Sequence, residues 1–347
     1  MTSEFEKVNI ALYPISWLDN LINWIKSLPL PAWVYYLLSL VIIAYLNNWV
    51  LVLAGAIPAG EINLETTTDA LWFVYFIAFF HYLKETAREA LKKYQPLLMV
   101  DEAEYRDIEN KFTNLPARLG WLAIGVSVTI FVLFYFSIPE TAEEIRTYPL
   151  LTNSYQLLFR FSSISIFSAF LIQSIRQIKH ISHHHRTIKH ISLFHLGPAH
   201  AFSILTSKMG IGLILIAIFG IFQLVYLGVD AVFGIVHLMF LMVALAAFVL
   251  PLGGMRAKLL EKRESMLDEL DSRIEKLYSN LNQQIDTNNL ENTKDYPRLL
   301  QALRTERAAI EKISMWPWDT STLKGFATTF LIPIVLWAIT RLLESYF

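Results

Sequence analysis

The chain has 347 residues, of which 54% are hydrophobic, 14% aromatic and only 17% charged, with a formal net charge of −1. A soluble domain carries about 25% charged residues, so this composition belongs in lipid. The near-neutral balance gives no basis for a nucleic-acid partner, and the absence of cysteine excludes disulfides and thiolate chemistry.

A helix needs roughly 20 apolar residues to cross the hydrocarbon core. Seven runs answer to that: 33–57, 66–83, 119–138, 156–175, 209–228, 231–251 and 325–343. The expected fold is therefore all-α, a polytopic membrane bundle of seven transmembrane helices. Residues 1–32 form an amphipathic N-terminal segment, and residues 33–251 hold six spans with helical loops at 84–118 and 176–208. Residues 252–321 form a helical hairpin, and 322–347 carry the seventh span.

Lys and Arg mark the loops that stay cytoplasmic. Segment 84–118 has seven of them, 176–208 five and 253–324 twelve, whereas 58–69, 139–156 and 229–230 share Arg146 alone. This contrast places the N-terminus in the cytoplasm and the C-terminus outside, the reverse of G-protein-coupled and rhodopsin arrangements. Met1 to Pro31 has no signal-peptidase pattern, so the first span serves as the targeting signal and the plasma membrane is the expected location.

In chain order, Ile10, Trp17, Leu18, Leu21, Ile22 and Ile25, bounded by Pro14 and Pro29, read as an interfacial helix on the inner leaflet. Asn47 and Asn48 follow in the first span, where adjacent amides need partners: a neighbouring helix or a solute path. The second span admits Thr66, Thr67 and Thr68 to the interface and runs on to about Lys93. Along it, His81, Glu85 and Glu89 share one face at spacing four, in the pattern of metal-transporter ligands, but Lys84, Arg88, Lys92 and Lys93 surround them as in a salt-bridged polar face. Asp101 with Glu104 opens another helix that closes before Pro116.

Arg160 in the fourth span is placed to snorkel to headgroups. Ser162, Ser165 and Ser168, with Gly210, Gly212 and Gly220 in the fifth span, are small residues that let helices approach. The fourth helix is expected to reach about Ile191, Gly197 and Pro198 to break it, and the next span to begin after Lys208. Gln223 and His237, flanking a tight turn, pair with each other or contact a ligand.

The run from His180 to His200 holds seven histidines. Its segment His180 to His184 resembles the H-x-x-H-H box of membrane di-iron desaturases and hydroxylases. Those enzymes assemble several boxes, and here only His81 and His237 lie elsewhere. The cluster reads first as a solvated, titratable helix end. A divalent ion on His180, His183 and His184 is the alternative, His180 and His184 standing one turn apart; no other cofactor is expected.

Leu260, Leu267, Ile274 and Leu281 recur every seven residues, with Leu270 and Leu277 between them and a break at Arg263. After a polar turn, Leu300, Leu303, Ile310 and Ile313 supply a second seam, so an antiparallel coiled-coil hairpin is expected. In the last span Pro333 removes an amide donor and frees the carbonyl of Thr329. Irregular backbone at that depth is tolerated inside protein or beside water. Pro333, Thr329, Thr328 and Lys324 are the candidate pore and gating residues.

In topology the chain resembles the insect odorant and gustatory receptor channels, which keep the N-terminus inside and place cytoplasmic helix before the last span. Their C-terminal Tyr and Gln-Phe signature has no counterpart from Thr328 to Trp337. Seven-span hydrolases similar to adiponectin receptors share the orientation but build zinc sites with histidines of the last span, which here has none. The expected function is a homo-oligomeric membrane channel, with a small-ligand or metal carrier and a membrane-embedded metalloenzyme as alternatives.

Overall fold

Most helices begin where the sequence supplies a capping side chain or a proline. The computed structural model describes residues 13–137, 150–187, 191–194, 196–226, 231–286 and 295–346. In order they form α1 (Trp17–Ser27), α2 (Ala32–Leu53), α3 (Leu64–Leu98), α4 (Glu102–Thr113), α5 (Ala117–Ser137), α6 (Leu150–Thr187), α7 (Ala201–Tyr226) and α8 (Ala231–Val249). A single 3-10 turn (Leu250–Leu252) leads into α9 (Gly253–Asp286), followed by α10 (Tyr296–Glu311) and α11 (Thr320–Tyr346). Among the described residues the only β-type pairing is an isolated bridge between Ile15 and Pro116.

Side-chain oxygens of Ser16, Asn63, Asp101 and Asp319 accept from the amides three residues on, at 3.2, 2.9, 2.7 and 2.7 Å, satisfying donors that a helix leaves open at its start. The capping spacing read at Asp101 and Glu104 is thus realised. Met99 closes α3 in the left-handed conformation.

Among the described residues, four stretches are long and apolar enough to cross a membrane: Ala32–Leu53, Thr152–His185, Ala201–Gly220 and the start of Met239–Asp286. Within the described side chains, Ala117–Leu133 of α5 and Thr320–Leu336 of α11 are further apolar stretches, each part of a longer helix. The helix of the second expected span, α3, is long but mixed: Glu65 and Asp69 lie near its start and charges fill its second half.

At the centre stands α7, with 67% of its apolar stretch buried, whereas α2 is peripheral at 11%. Around α7 pack α3, α8 and α11, while α6 packs between α3 and α5. Glycines explain the closeness. A β-carbon at Gly210 would sit 2.5 Å from the Phe326 ring and 3.0 Å from the Ala244 carbonyl; one at Gly212 would sit 1.9 Å from the Phe79 ring. The Tyr75 hydroxyl also donates to the Gly212 carbonyl at 2.9 Å. Here two of the small residues read in the fifth span do what small residues do in membranes. Ser168 behaves similarly on α6, meeting Ser127 of α5 at 3.2 Å.

The interior is filled with rings: Trp72 stacks on Phe76, Phe76 meets Phe167 at 4.9 Å, and Phe79 meets Phe170 at 5.5 Å. The apolar face of α1 packs on protein through Leu18, Ile22 and Ile25, while its Trp24 is exposed. One boundary differs from expectation: α7 starts at Ala201, ahead of Lys208, whose ammonium meets the Tyr82 ring at 4.6 Å and is accommodated within the helix. Helices α9 and α10 pack together through Arg307 on Asp271 and Arg304 on the Tyr278 hydroxyl, with Leu270 and Ile310 buried.

Replacing Gly212 with Ala therefore overpacks the α3–α7 contact. We expect Gly212→Ala to cost about 1–3 kcal/mol, read as a lowered thermal midpoint in detergent, and Phe79→Leu to restore most of that loss in the double variant.

Candidate functional site

Helix α11 is capped by Asp319, whose carboxyl is held below the usual carboxylate range mainly by the Thr322 amide, with Ser321 adding a second donor. One side of the helix is anchored. Phe326 stacks on Phe248 of α8 at 4.0 Å, and Pro333 is buried on the same side, where α7 is the principal neighbour. The helix continues through Pro333. Thr329, half-buried, donates its hydroxyl to the Gly325 carbonyl at 2.9 Å.

Lys324, Thr328, Leu331 and Val335 are exposed. Their spacing of three and four puts them on one stripe, about 180° from Pro333 at 100° per residue. The four candidate pore residues are thus split: Pro333 and Thr329 face the bundle, Lys324 and Thr328 face away from it.

At the other end of the chain, both asparagine amides are engaged. Asn47 donates to the Thr66 carbonyl at 2.9 Å and accepts from the Tyr155 hydroxyl at 2.8 Å. Asn48 donates to Ala44 and Thr67 and accepts from the Asn63 amide at 2.6 Å. They fasten α2 to α3 and α6. Beside them Arg160 lies 3.8 Å from Glu65 and 3.9 Å from Asp69, so its charge meets carboxylates where the sequence suggested headgroups. The cavity between these residues, about 10 Å³, has room for roughly one water. Gln223 and His237 belong to α7 and α8, and their side chains lie outside the described residues.

The histidine run spirals from surface to core. His183 is exposed, while the His180 and His184 rings stack at 6.4 Å and those of His183 and His184 meet edge-on at 5.7 Å. Two imidazoles one turn apart are suited to a divalent ion. Among the described residues, however, no three His, Asp or Glu side chains converge for a metal; His190 and His195 fall outside them. His185 is fully buried, its Nδ1 3.1 Å from the Pro251 carbonyl and its ring against Tyr94 and Phe202. This member of the run is a packing residue, not part of a solvated helix end.

His81 and Glu85 do meet, at 3.7 Å, but as part of a charged relay. The Tyr36 hydroxyl lies 2.8 Å from His81 Nδ1, Lys26 and Arg88 grip Glu85 at 2.6 and 2.5 Å, and Arg88 reaches Glu109 at 3.0 Å. Glu89 points to solvent.

Two features escaped the sequence reading. Lys84 and Asp19 form a buried ion pair at 2.6 Å, with side chains 4% and 0% exposed. The second Asp19 oxygen accepts from the Leu115 amide at 2.8 Å and the Ser16 hydroxyl at 2.9 Å. A signal existed: Lys84 lies on the same stripe as Phe80, Ala87, Leu91 and Tyr94, all buried. The other feature is a groove of about 540 Å³ between the α4–α5 corner and α6, bordered by Lys111, Arg118, Arg176 and His180.

No protein-family model, curated protein or solved structure matches this chain.

Removing one member of the buried pair strands the other in an apolar setting. Lys84→Met is expected to lower unfolding free energy by about 3–5 kcal/mol, and the double variant Lys84→Met, Asp19→Asn to regain most of it, measured as thermal midpoints in detergent.

Proposed function

We propose that the protein is a homo-oligomeric, channel-like membrane protein that passes ions or small solutes along a path between copies, lined by the outward stripe of α11. The observation that carries this reading is the one-sided anchoring of α11. Its Phe326 and Pro333 side is fixed to the bundle, whereas Lys324, Thr328, Leu331 and Val335 face away from the subunit.

Packing within one subunit favours a shared path over an internal one. Stacked rings occupy the centre, and the cavities beside Lys84 and beside Asn47, about 10 Å³ each, hold roughly one water. A carrier would need a solvent-reachable central site. In this reading the four long apolar stretches are joined by the apolar parts of α3, α5 and α11 as seven crossings. The Lys and Arg bias sets the N-terminus in the cytoplasm of a cell whose plasma membrane holds the protein. There α4 and the α9–α10 pair, an antiparallel coiled-coil hairpin, form an assembly and gating base.

Because the chain has no cysteine, single substitutions can be labelled without background. A water-soluble thiol reagent is expected to reduce the current of Thr328→Cys and Val335→Cys in planar bilayers and to leave Leu38→Cys, on the exposed face of α2, unchanged. A monomeric mass in detergent together with no ion flux after reconstitution overturns the proposal.

A further inference from the structure

The groove bordered by Arg118 and Arg176 goes beyond the channel reading and stands without it. Its walls are pinned. The Ser16 amide donates to the Leu115 carbonyl and the Ala117 amide to the Pro14 carbonyl, both at 2.8 Å, so the segment before α1 and the α4–α5 corner are zipped together. Arg176 closes the far side. It donates to the Asn114 carbonyl and, at 3.0 Å, to the Tyr13 hydroxyl, with its guanidinium 5.7 Å from the Tyr13 ring centre.

Charge in the groove is unbalanced. Lys111 is neutralised by Asp107 at 2.5 Å, but among the described residues neither Arg118 nor Arg176 has a carboxylate partner. His180 and Tyr13 are the other titratable groups lining the groove. A guanidinium has five N–H donors, and the bonds of Arg176 to Asn114, Tyr13 and Gln173 use three. Donors remain for an anion.

Depth identifies the anion. Arg118 is the last charged residue before the apolar body of α5, and Arg176 is the first after the uncharged run that follows Arg160 on α6. The two cations therefore stand where both helices leave the apolar layer. From Arg118, the exposed stripe of α5 continues through Leu122, Gly125 and Thr129, and a β-carbon at Gly125 would meet nothing within 4 Å. Cations at headgroup level above an open apolar track suit a molecule that is anionic at one end and hydrocarbon at the other. A free phosphate would use the cations and leave Pro116 and Leu119, which line the same groove, without a role.

We propose that this groove binds an anionic glycerophospholipid, its phosphate between Arg118 and Arg176 and one acyl chain along the Leu122 stripe of α5. Native mass spectrometry of the detergent-purified protein, titrated with equal amounts of phosphatidylglycerol and phosphatidylcholine, tests it. The wild type should retain one phosphatidylglycerol in preference to phosphatidylcholine. Arg118→Gln, exposed and free of structural bonds, should lower that occupancy about fivefold, the loss of about one cation near an anionic headgroup, without moving the thermal midpoint. Lys93→Gln should leave occupancy unchanged. Equal retention of the two lipids, wild-type occupancy in Arg118→Gln, an equal loss in Lys93→Gln, or displacement of the lipid by millimolar inorganic phosphate would each overturn the assignment.

Discussion

A single carboxylate sets the arrangement of the polar end of this molecule. Asp19 contributes one oxygen to Lys84 of α3 and the other to the Leu115 amide and the Ser16 hydroxyl. Three segments distant in sequence are thereby held within hydrogen-bond reach of one side chain. Burial makes the arrangement stringent: desolvating two charges is costly, and only direct pairing with every remaining lone pair satisfied offsets it. Alternatives in which α1 slides along α3 would leave a charge unpaired away from water, so α1 has one permitted docking position. The groove beside Arg176 and the start of α5 inherit their geometry from that position.

The apolar part of the bundle follows a different constraint, the closeness of backbones around α7. Gly210 and Gly212 have no side chain because rings of neighbouring helices occupy the space one would need. Such contacts supply dispersion energy where lipid removes the hydrophobic incentive for helices to associate. The result is a centre filled by aromatic rings and two helices, α2 and α11, attached at the margin. Marginal attachment leaves α11 with an unused stripe, on which the proposed assembly rests.

Much of the helical layout was legible. Asp101, Pro116, Gly197 and Pro198 mark boundaries through local chemistry, and Gly210 and Gly212 flagged a close approach before any contact was known. Legibility failed where a residue's meaning depended on a distant partner. Lys84 looks solvated among its charged neighbours until Asp19, 65 residues away, is brought against it. Arg160 looked fit for headgroups because Glu65 and Asp69 are far off in sequence. Pro333 and Thr328 read as one feature since they are five residues apart, yet five residues is nearly one and a half helical turns, which puts them on different sides of α11.

The connection between α8 and α9 has a mechanical consequence. The stretch from Met239 to Asp286 runs helical throughout, interrupted only by the turn at Leu250–Leu252, where the Pro251 carbonyl is caught by His185. At about 1.5 Å per residue, the polar arm α9 (Gly253–Asp286) is about 50 Å long and the apolar arm α8 (Ala231–Val249) about 28 Å. This is a beam with its fulcrum off centre. A sideways push on the tip of α9 would reach the far end of α8 reduced about twofold in distance and multiplied by the same ratio in force.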